Sequence, residues 1–366
     1  MIREVTDMDN QEQRLTEAVF PLLDWYRENA RILPWRTEVT PYRVWISEIM
    51  LQQTRVAAVI GYFERFMAAL PTVEDLARVP EDELMKLWQG LGYYNRARNL
   101  QKAARQILER HDGEMPNDYD AIRALAGIGD YTAGAIASIA FGIPVPAVDG
   151  NVLRVLARIL GDEHDIARQD TKEAARRLLL QVIPQNAPGQ FNQALMELGA
   201  TVCLPNGAPL CDRCPVRELC VARAQDKIAL LPVKAPKKGR RIEERTVYLI
   251  FYDGKVALRR RPGRGLLAGL WEYPNELAEK PDPLEGWHIV PAARESVGRG
   301  KHIFTHIEWH MEAQAVTAAS PALPEGWVWA GKRQLEQIYA VPNAFQSFQS
   351  AVQARLEKWE MTQDDL

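Results

Sequence analysis

Four cysteines, at positions 203, 211, 214 and 220, are the only ones in the 366-residue chain, and they fall within 18 residues with the spacing C-x7-C-x2-C-x5-C. A group this dense, in a chain that otherwise avoids cysteine, reads as a metal or iron–sulfur site rather than a disulfide framework. The loop it occupies, Cys203-Leu-Pro-Asn-Gly-Ala-Pro, gives inert buried thiols no reason to gather. Tetrahedral zinc accepts four thiolates as readily as an iron–sulfur cluster does, so spacing alone leaves the metal open.

The chain is too long for one ordinary core and predicts two domains, and its 47% hydrophobic residues can fill both. The start, MIREVTDMDNQEQ, lacks the apolar core of a signal peptide, and no later stretch makes an uninterrupted membrane span. A cytoplasmic protein, associated with the nucleoid rather than a membrane, is expected. The net charge of −3 gives no global argument for nucleic acid, so any such case rests on local features.

From about residue 10 to 225, apolar residues recur at three- and four-residue spacing between short Pro- or Gly-marked loops, the pattern of an all-helical domain. Ala133 to Val148, the longest apolar stretch, reads as a buried helix followed by a loop carrying Pro144 and Pro146. Residues 226–242 change character: LPVKAPKKGRR reads as an exposed linker, either a solvated tether or a segment that follows a phosphate backbone. After it, TVYLIFY and KVALRRR flank Asp253-Gly254, a dipeptide suited to the left-handed angles of a type I′ hairpin turn. Residues 243–366 are therefore an α+β domain that ends in a helix near 343–358.

Two segments of the helical domain carry chemistry. In Leu125-Ala-Gly127-Ile-Gly129-Asp-Tyr131-Thr-Ala133, two glycines between helices permit a tight turn whose bare N–H groups face outward at a helix N-terminus, where the dipole favours a phosphate. Downstream, Gly142-Ile-Pro-Val-Pro-Ala-Val-Asp149-Gly-Asn151 delivers one aspartate to the start of the next helix. Asp149 reads as an N-cap, and the same helix dipole would keep it ionised and able to stabilise a nearby cation.

The hairpin, the Gly/Pro loop with its aspartate and the four-cysteine cluster together resemble the iron–sulfur branch of the helix-hairpin-helix DNA glycosylases, which contains endonuclease III and the adenine glycosylases. That resemblance implies a 4Fe-4S cluster held by Cys203, Cys211, Cys214 and Cys220, although the first spacing is one residue longer than the family's usual one. It also implies DNA contact by the turn at Gly127 and Gly129. Members resembling endonuclease III carry a lysine at the position of Tyr131, and its amine forms a Schiff base with the sugar. This chain has no such amine.

Pro41-Tyr-Arg-Val-Trp-Ile-Ser-Glu48-Ile-Met-Leu-Gln-Gln-Thr54 is similar instead to the adenine-glycosylase segment in which the glutamate is the catalytic acid. On a helix, Val44, Trp45 and Leu51 lie one turn from Glu48, and apolar neighbours raise a carboxyl pKa toward neutrality. By the same resemblance Arg31, Leu33 and Trp35 belong to the adenine pocket, Tyr131 and Asn151 shape it, and Gln53 and Tyr93 intrude into the distorted duplex. Taken singly, Trp35 and Tyr93 read equally as core aromatics.

Phe304-Thr305-His306 resembles the Phe-Ser-His loop with which adenine glycosylases sense 8-oxoguanine, threonine keeping the hydroxyl. Its domain resembles the Nudix-like fold but lacks the acidic Arg-Glu-x-x-Glu-Glu pattern needed for magnesium, the nearest fragment being Arg294-Glu295-Ser-Val-Gly. The resemblance thus implies a multidomain monomer: an all-α helix-hairpin-helix glycosylase domain with an iron–sulfur loop (1–225), a linker (226–242) and a Nudix-like recognition domain (243–366). Its expected partner is double-stranded DNA with adenine mispaired with 8-oxoguanine or guanine, from which it excises the adenine. The rivals are an endonuclease III-like glycosylase/lyase acting on oxidised pyrimidines and a catalytically silent iron–sulfur DNA-binding protein; Tyr131 and the Glu48/Asp149 pair argue against them in turn.

Overall fold

A computed structural model describes residues 2–236 and 239–364, so Lys237 and Lys238 of the expected linker lie outside the described residues. Contacts group the chain into two units, the first comprising the chain up to Arg78 with Asn99–Pro236, the second Val79–Arg98 with the chain after Pro236.

The helical stretch runs α1 (Ile2–Asn29), α2 (Pro34–Thr37), α3 (Pro41–Leu51), α4 (Val56–Ala69), α5 (Val73–Arg78), α6 (Glu81–Trp88), α7 (Asn95–Arg110), α8 (Tyr119–Arg123), α9 (Asp130–Phe141), α10 (Gly150–Leu160), α11 (Gln169–Val182), α12 (Pro188–Thr201) and α13 (Val221–Ala224). Two of the helices that build the site, α3 and α10, start on side-chain caps. The Thr40 side chain accepts from Arg43 N and Pro41 occupies the first turn of α3, while the Asp149 carboxylate accepts from Asn151 N and Val152 N to cap α10. Leu15, Leu22, Val152, Leu156, Phe191 and Leu198, all nearly inaccessible, make one core from α1, α10 and α12. Burying each such side chain contributes about 1.5–3 kcal/mol.

The second unit carries a seven-stranded sheet ordered β3-β2-β1-β6-β5, with β4 on β1 and β7 on β2. Its strands are β1 (Arg241–Tyr252), β2 (Lys255–Arg260), β3 (Trp271–Glu272), β4 (Asn275–Leu277), β5 (Pro291–Ile303), β6 (Ile307–Ala318) and β7 (Trp327–Ala330); α14 (Lys332–Gln337) and α15 (Gln346–Asp364) follow. β1 runs parallel to β6 and begins within the expected linker, at Arg241. It reads as a continuous apolar run because both faces are covered: Val247 and Leu249 pack with Phe345, Phe348 and Val352, while Tyr248 and Ile250 pack with Leu284 and Ile289. The β1–β2 turn has φ of 46° at Asp253 and 66° at Gly254, the left-handed pair of a type I′ turn. Lys86 Nζ donates to Leu335 O at 2.7 Å and Gln89 Nε2 to Val341 O at 2.7 Å, joining Val79–Arg98 to the rest of this unit.

Candidate active site and cysteine loop

A cleft of about 980 Å³ opens in the first unit, and Glu48, Tyr131 and Asp149 line it. Glu48 sits on α3 and is only 6% exposed. Tyr131, in the first turn of α9, donates its hydroxyl to Glu48 Oε2 at 2.6 Å. Burial pushes the Glu48 carboxyl up to about 7, the Tyr131 hydrogen bond opposing and the nearby Asp149 charge reinforcing that push. Tyr131 keeps its own proton, because burial and then the Glu48 charge raise its pKa well above the ordinary phenol value.

Asp149 has a different environment. Its Oδ1 accepts from Asn151 N at 2.9 Å and Val152 N at 2.8 Å, and its Oδ2 accepts from Asn151 Nδ2 at 2.8 Å. Burial raises its pKa, and these N–H groups work against that rise. Glu48 and Asp149 thus share one cleft, the first held by a single hydroxyl and the second by three N–H donors. Behind Asp149, Arg154 Nη2 donates to Asn151 Oδ1 at 3.0 Å and its Nε to Cys203 O at 2.9 Å, so one buried guanidinium ties the aspartate's partner to the cysteine loop.

A third carboxyl group, Glu197 on α12, was not singled out by sequence. Arg31 Nε donates to its Oε1 at 2.5 Å and Arg36 Nη2 to its Oε2 at 2.8 Å. Burial alone would raise its pKa, but the two guanidiniums hold it below the ordinary value. Its signal is a lone charge in the apolar run Ala-Leu-Met-Glu-Leu-Gly, since a buried charge requires a partner.

Of the residues singled out from sequence, Arg31, Leu33, Trp35, Glu48, Gln53, Gly129, Tyr131, Asp149 and Asn151 all line this cleft. Trp35 is also a packing residue, edge-on to Phe63 at 5.3 Å between centroids. Gly127 adopts φ of 75°, and a Cβ there would lie 2.6 Å from the Asn99 Cβ, so the hairpin turn requires glycine. Gln53 and Tyr93, both exposed, have left-handed φ values of 57° and 47°, unusual for residues with side chains. Tyr93 lies in the second unit, where its hydroxyl is 3.2 Å from Thr305 Oγ1. Phe304, Thr305 and His306 form the tight β5–β6 turn, closed by Phe304 N donating to Ile307 O at 2.8 Å. Phe304 is anchored edge-on to Trp309, while Thr305 and His306 are exposed. The Arg294-Glu295 fragment falls on strand β5, and Glu295 is spent on an ion pair with Arg355.

The four cysteines line one small apolar cavity with Val155, Ile159 and Leu198. Burial pushes the Cys214 thiol up to about 12, with the other three cysteines adding to the rise, an arrangement that as thiolates calls for a compensating cation. Arg158 Nη1 supplies one, donating to Cys203 Sγ at 3.2 Å. Among the described residues no three His, Cys, Asp or Glu side chains converge closely enough to hold a single metal ion. The donor set itself, four sulfurs around one apolar cavity, is of the kind that thiolate-bound metal centres use.

Residues 46–185 match the HhH-GPD superfamily base excision DNA repair protein family, and residues 246–351 match the NUDIX domain family. Curated relatives include the adenine DNA glycosylase of Rattus norvegicus, 35% identical over 90% of this chain and 77% of its own. That of Homo sapiens is 35% identical over 84% and 69%, and that of Schizosaccharomyces pombe 30% identical over 92% and 90%. Among solved structures, a thermostable thymine-DNA glycosylase covers 58% of this chain and 98% of its own, at TM-score 0.53 and 29% identity. A non-covalent endonuclease III–DNA complex covers 59% and 97%, at TM-score 0.51 and 26% identity.

Proposed function

The chain belongs to the adenine DNA glycosylase family and removes adenine in base excision repair, and we propose that its substrate is adenine mispaired with 8-oxoguanine or guanine in double-stranded DNA. The observation that carries the mechanism is the contrast between Glu48 and Asp149, one poised near neutrality and one surrounded by N–H donors.

The target adenine first leaves the stack, at a cost of a few kcal/mol that a mispair lowers. Protonated Glu48 then gives its proton to adenine N7, the Tyr131 hydroxyl fixing one carboxyl oxygen while the other delivers. As the C1′–N9 bond breaks, its electron pair goes to the protonated purine and positive charge develops on the sugar. Ionised Asp149, held by Asn151 and Val152, stabilises that charge until water adds at C1′ and loses a proton. Without an amine at position 131, no Schiff base forms and the strand stays intact.

In this reading residues 1–225 carry the chemistry, 226–242 connect, and 243–366 read the base opposite adenine through Phe304, Thr305 and His306. Cys203, Cys211, Cys214 and Cys220 would hold a 4Fe-4S cluster, which would supply rigidity to the loop rather than chemistry. The protein works as a monomer on nucleoid DNA, and no helix among the described residues is long and apolar enough to cross a membrane.

The test is base release from duplexes carrying adenine opposite 8-oxoguanine, adenine opposite guanine, or thymine glycol opposite adenine. Adenine should be released from the first two, with strand breaks appearing only after alkali. Release of thymine glycol with spontaneous nicking would replace this reading with the lyase.

A further inference from the structure

The linker stays on the helical unit after its last helix. Arg158 Nε donates to Leu231 O at 2.8 Å, Ile166 N to Val233 O at 3.1 Å, and Ala235 N to Asp165 Oδ2 at 3.2 Å. Val233 and Ala235 are thus both fastened to the stretch that precedes α11. Between them, Lys234 lines the cleft that contains Glu48 and Asp149. Lys172, in the first turn of α11 and so just beyond the same stretch, lines it too. Both lysines are exposed.

The other charges around them are largely committed. Arg31 and Arg36 bind Glu197, Asp130 pairs with Arg123, and Asp165 accepts from Ala167 N as well as Ala235 N. Arg55 is a further exposed cation of the cleft. Among the described residues no ion pair is found for Lys172 or Lys234. Ordering a linker costs conformational entropy, and here it fixes an exposed cation on the lining of the cleft. A protein with net charge −3 must draw its DNA affinity from such local cations.

We infer that Lys234 and Lys172 grip backbone phosphates of the strand whose adenine enters the cleft, making the first part of the linker a piece of the DNA-binding surface. The inference rests on the glycosylase reading above. Phosphate contacts set register and carry no base preference, so they position the nucleotide without selecting it.

The full-length protein is tested with Lys234→Gln, Lys172→Gln, their double variant and Lys234→Arg. The probe is a duplex with one 2′-fluoroadenosine opposite guanine, whose fluorine destabilises the sugar cation and blocks cleavage. Kd is measured by anisotropy across a salt series. Each single glutamine variant should make the slope of log K against log salt shallower by about 0.9, the double by about twice that, and Lys234→Arg should retain the wild-type slope. Affinity for fully paired duplex should fall in parallel. Glutamine variants with wild-type slopes would overturn the inference. Single-turnover release of adenine opposite guanine, at saturating enzyme, separates the two failures: wild-type release with unchanged slopes removes only the lysine grip, whereas no release by the wild type removes the glycosylase reading on which it rests.

Discussion

The floor of the cleft and the β5–β6 turn are built on opposite principles. At the floor, Glu48 is 6% exposed, and its hydrogen bond and those of Asp149 all come from side chains or backbone fixed by helices α9 and α10. At the turn, Phe304 packs on Trp309 and Thr305 has one hydroxyl contact, to Tyr93, while the side chains of Thr305 and His306 stay exposed. Breaking a glycosidic bond needs a shifted carboxyl pKa and donors held in place before the substrate arrives, which burial provides. Reading a base needs groups that are open until a partner covers them. Substitutions at the floor should therefore cost rate, and those at the turn should cost choice.

The largest effect that would break this division is at Glu48. Glu48→Gln should bind mispaired duplex yet lower single-turnover excision by about 10²–10⁴, the worth of a general acid. Near wild-type excision would remove Glu48 from the chemistry. Asp149→Asn should cost about 10²–10³, the scale of one electrostatic contact to a developing charge. Its amide oxygen still accepts from Asn151 N and Val152 N while its amide nitrogen would face Asn151 Nδ2, so circular dichroism should hold and Tm should fall only modestly; an unfolded variant would make Asp149 a cap first.

At the turn, Thr305→Ala with His306→Ala should leave excision opposite guanine unchanged and cut the preference for 8-oxoguanine roughly ten- to a hundredfold, the worth of about 1–3 kcal/mol per good base contact. Full preference in that variant would move base reading into the helical unit. A smaller effect is expected at Tyr131. The Tyr131 hydroxyl favours ionised Glu48, so Tyr131→Phe should raise the Glu48 pKa and shift the alkaline limb of the rate profile to higher pH. A shift to lower pH would show that the hydroxyl serves the neutral acid instead.

Local signals carried much of this architecture into the sequence. Val44 and Trp45 foretell the apolar surroundings of Glu48, Asp149-Gly-Asn151 is a cap written in consecutive residues, and Asp253-Gly254 specifies its turn outright. What was not legible depends on groups distant in the chain. Glu197 meets Arg31 across 166 residues, and nothing near Glu197 names that partner. Arg154 and Arg158 sit one turn apart on the buried face of α10, a hint in Leu-Arg-Val-Leu-Ala-Arg-Ile that long-range acceptors exist. Only the fold identifies them, as Cys203 O and Leu231 O among others. The placement of Val79–Arg98 with the second unit is likewise a tertiary fact, because its helical periodicity matches that of its neighbours.

In this mechanism Glu48 carries a proton at neutral pH, and the single-turnover pH–rate profile is the test of that state. A general acid works only while protonated. With its pKa raised from 4.5 to about 7, excision of adenine opposite 8-oxoguanine should hold a plateau below that value, down to the pH at which Asp149 takes up a proton, and fall about tenfold per pH unit above it. The limb should be absent from the residual activity of Glu48→Gln. A plateau that ends near the ordinary carboxyl value of 4.5, or a limb near 7 that persists in Glu48→Gln, would contradict it.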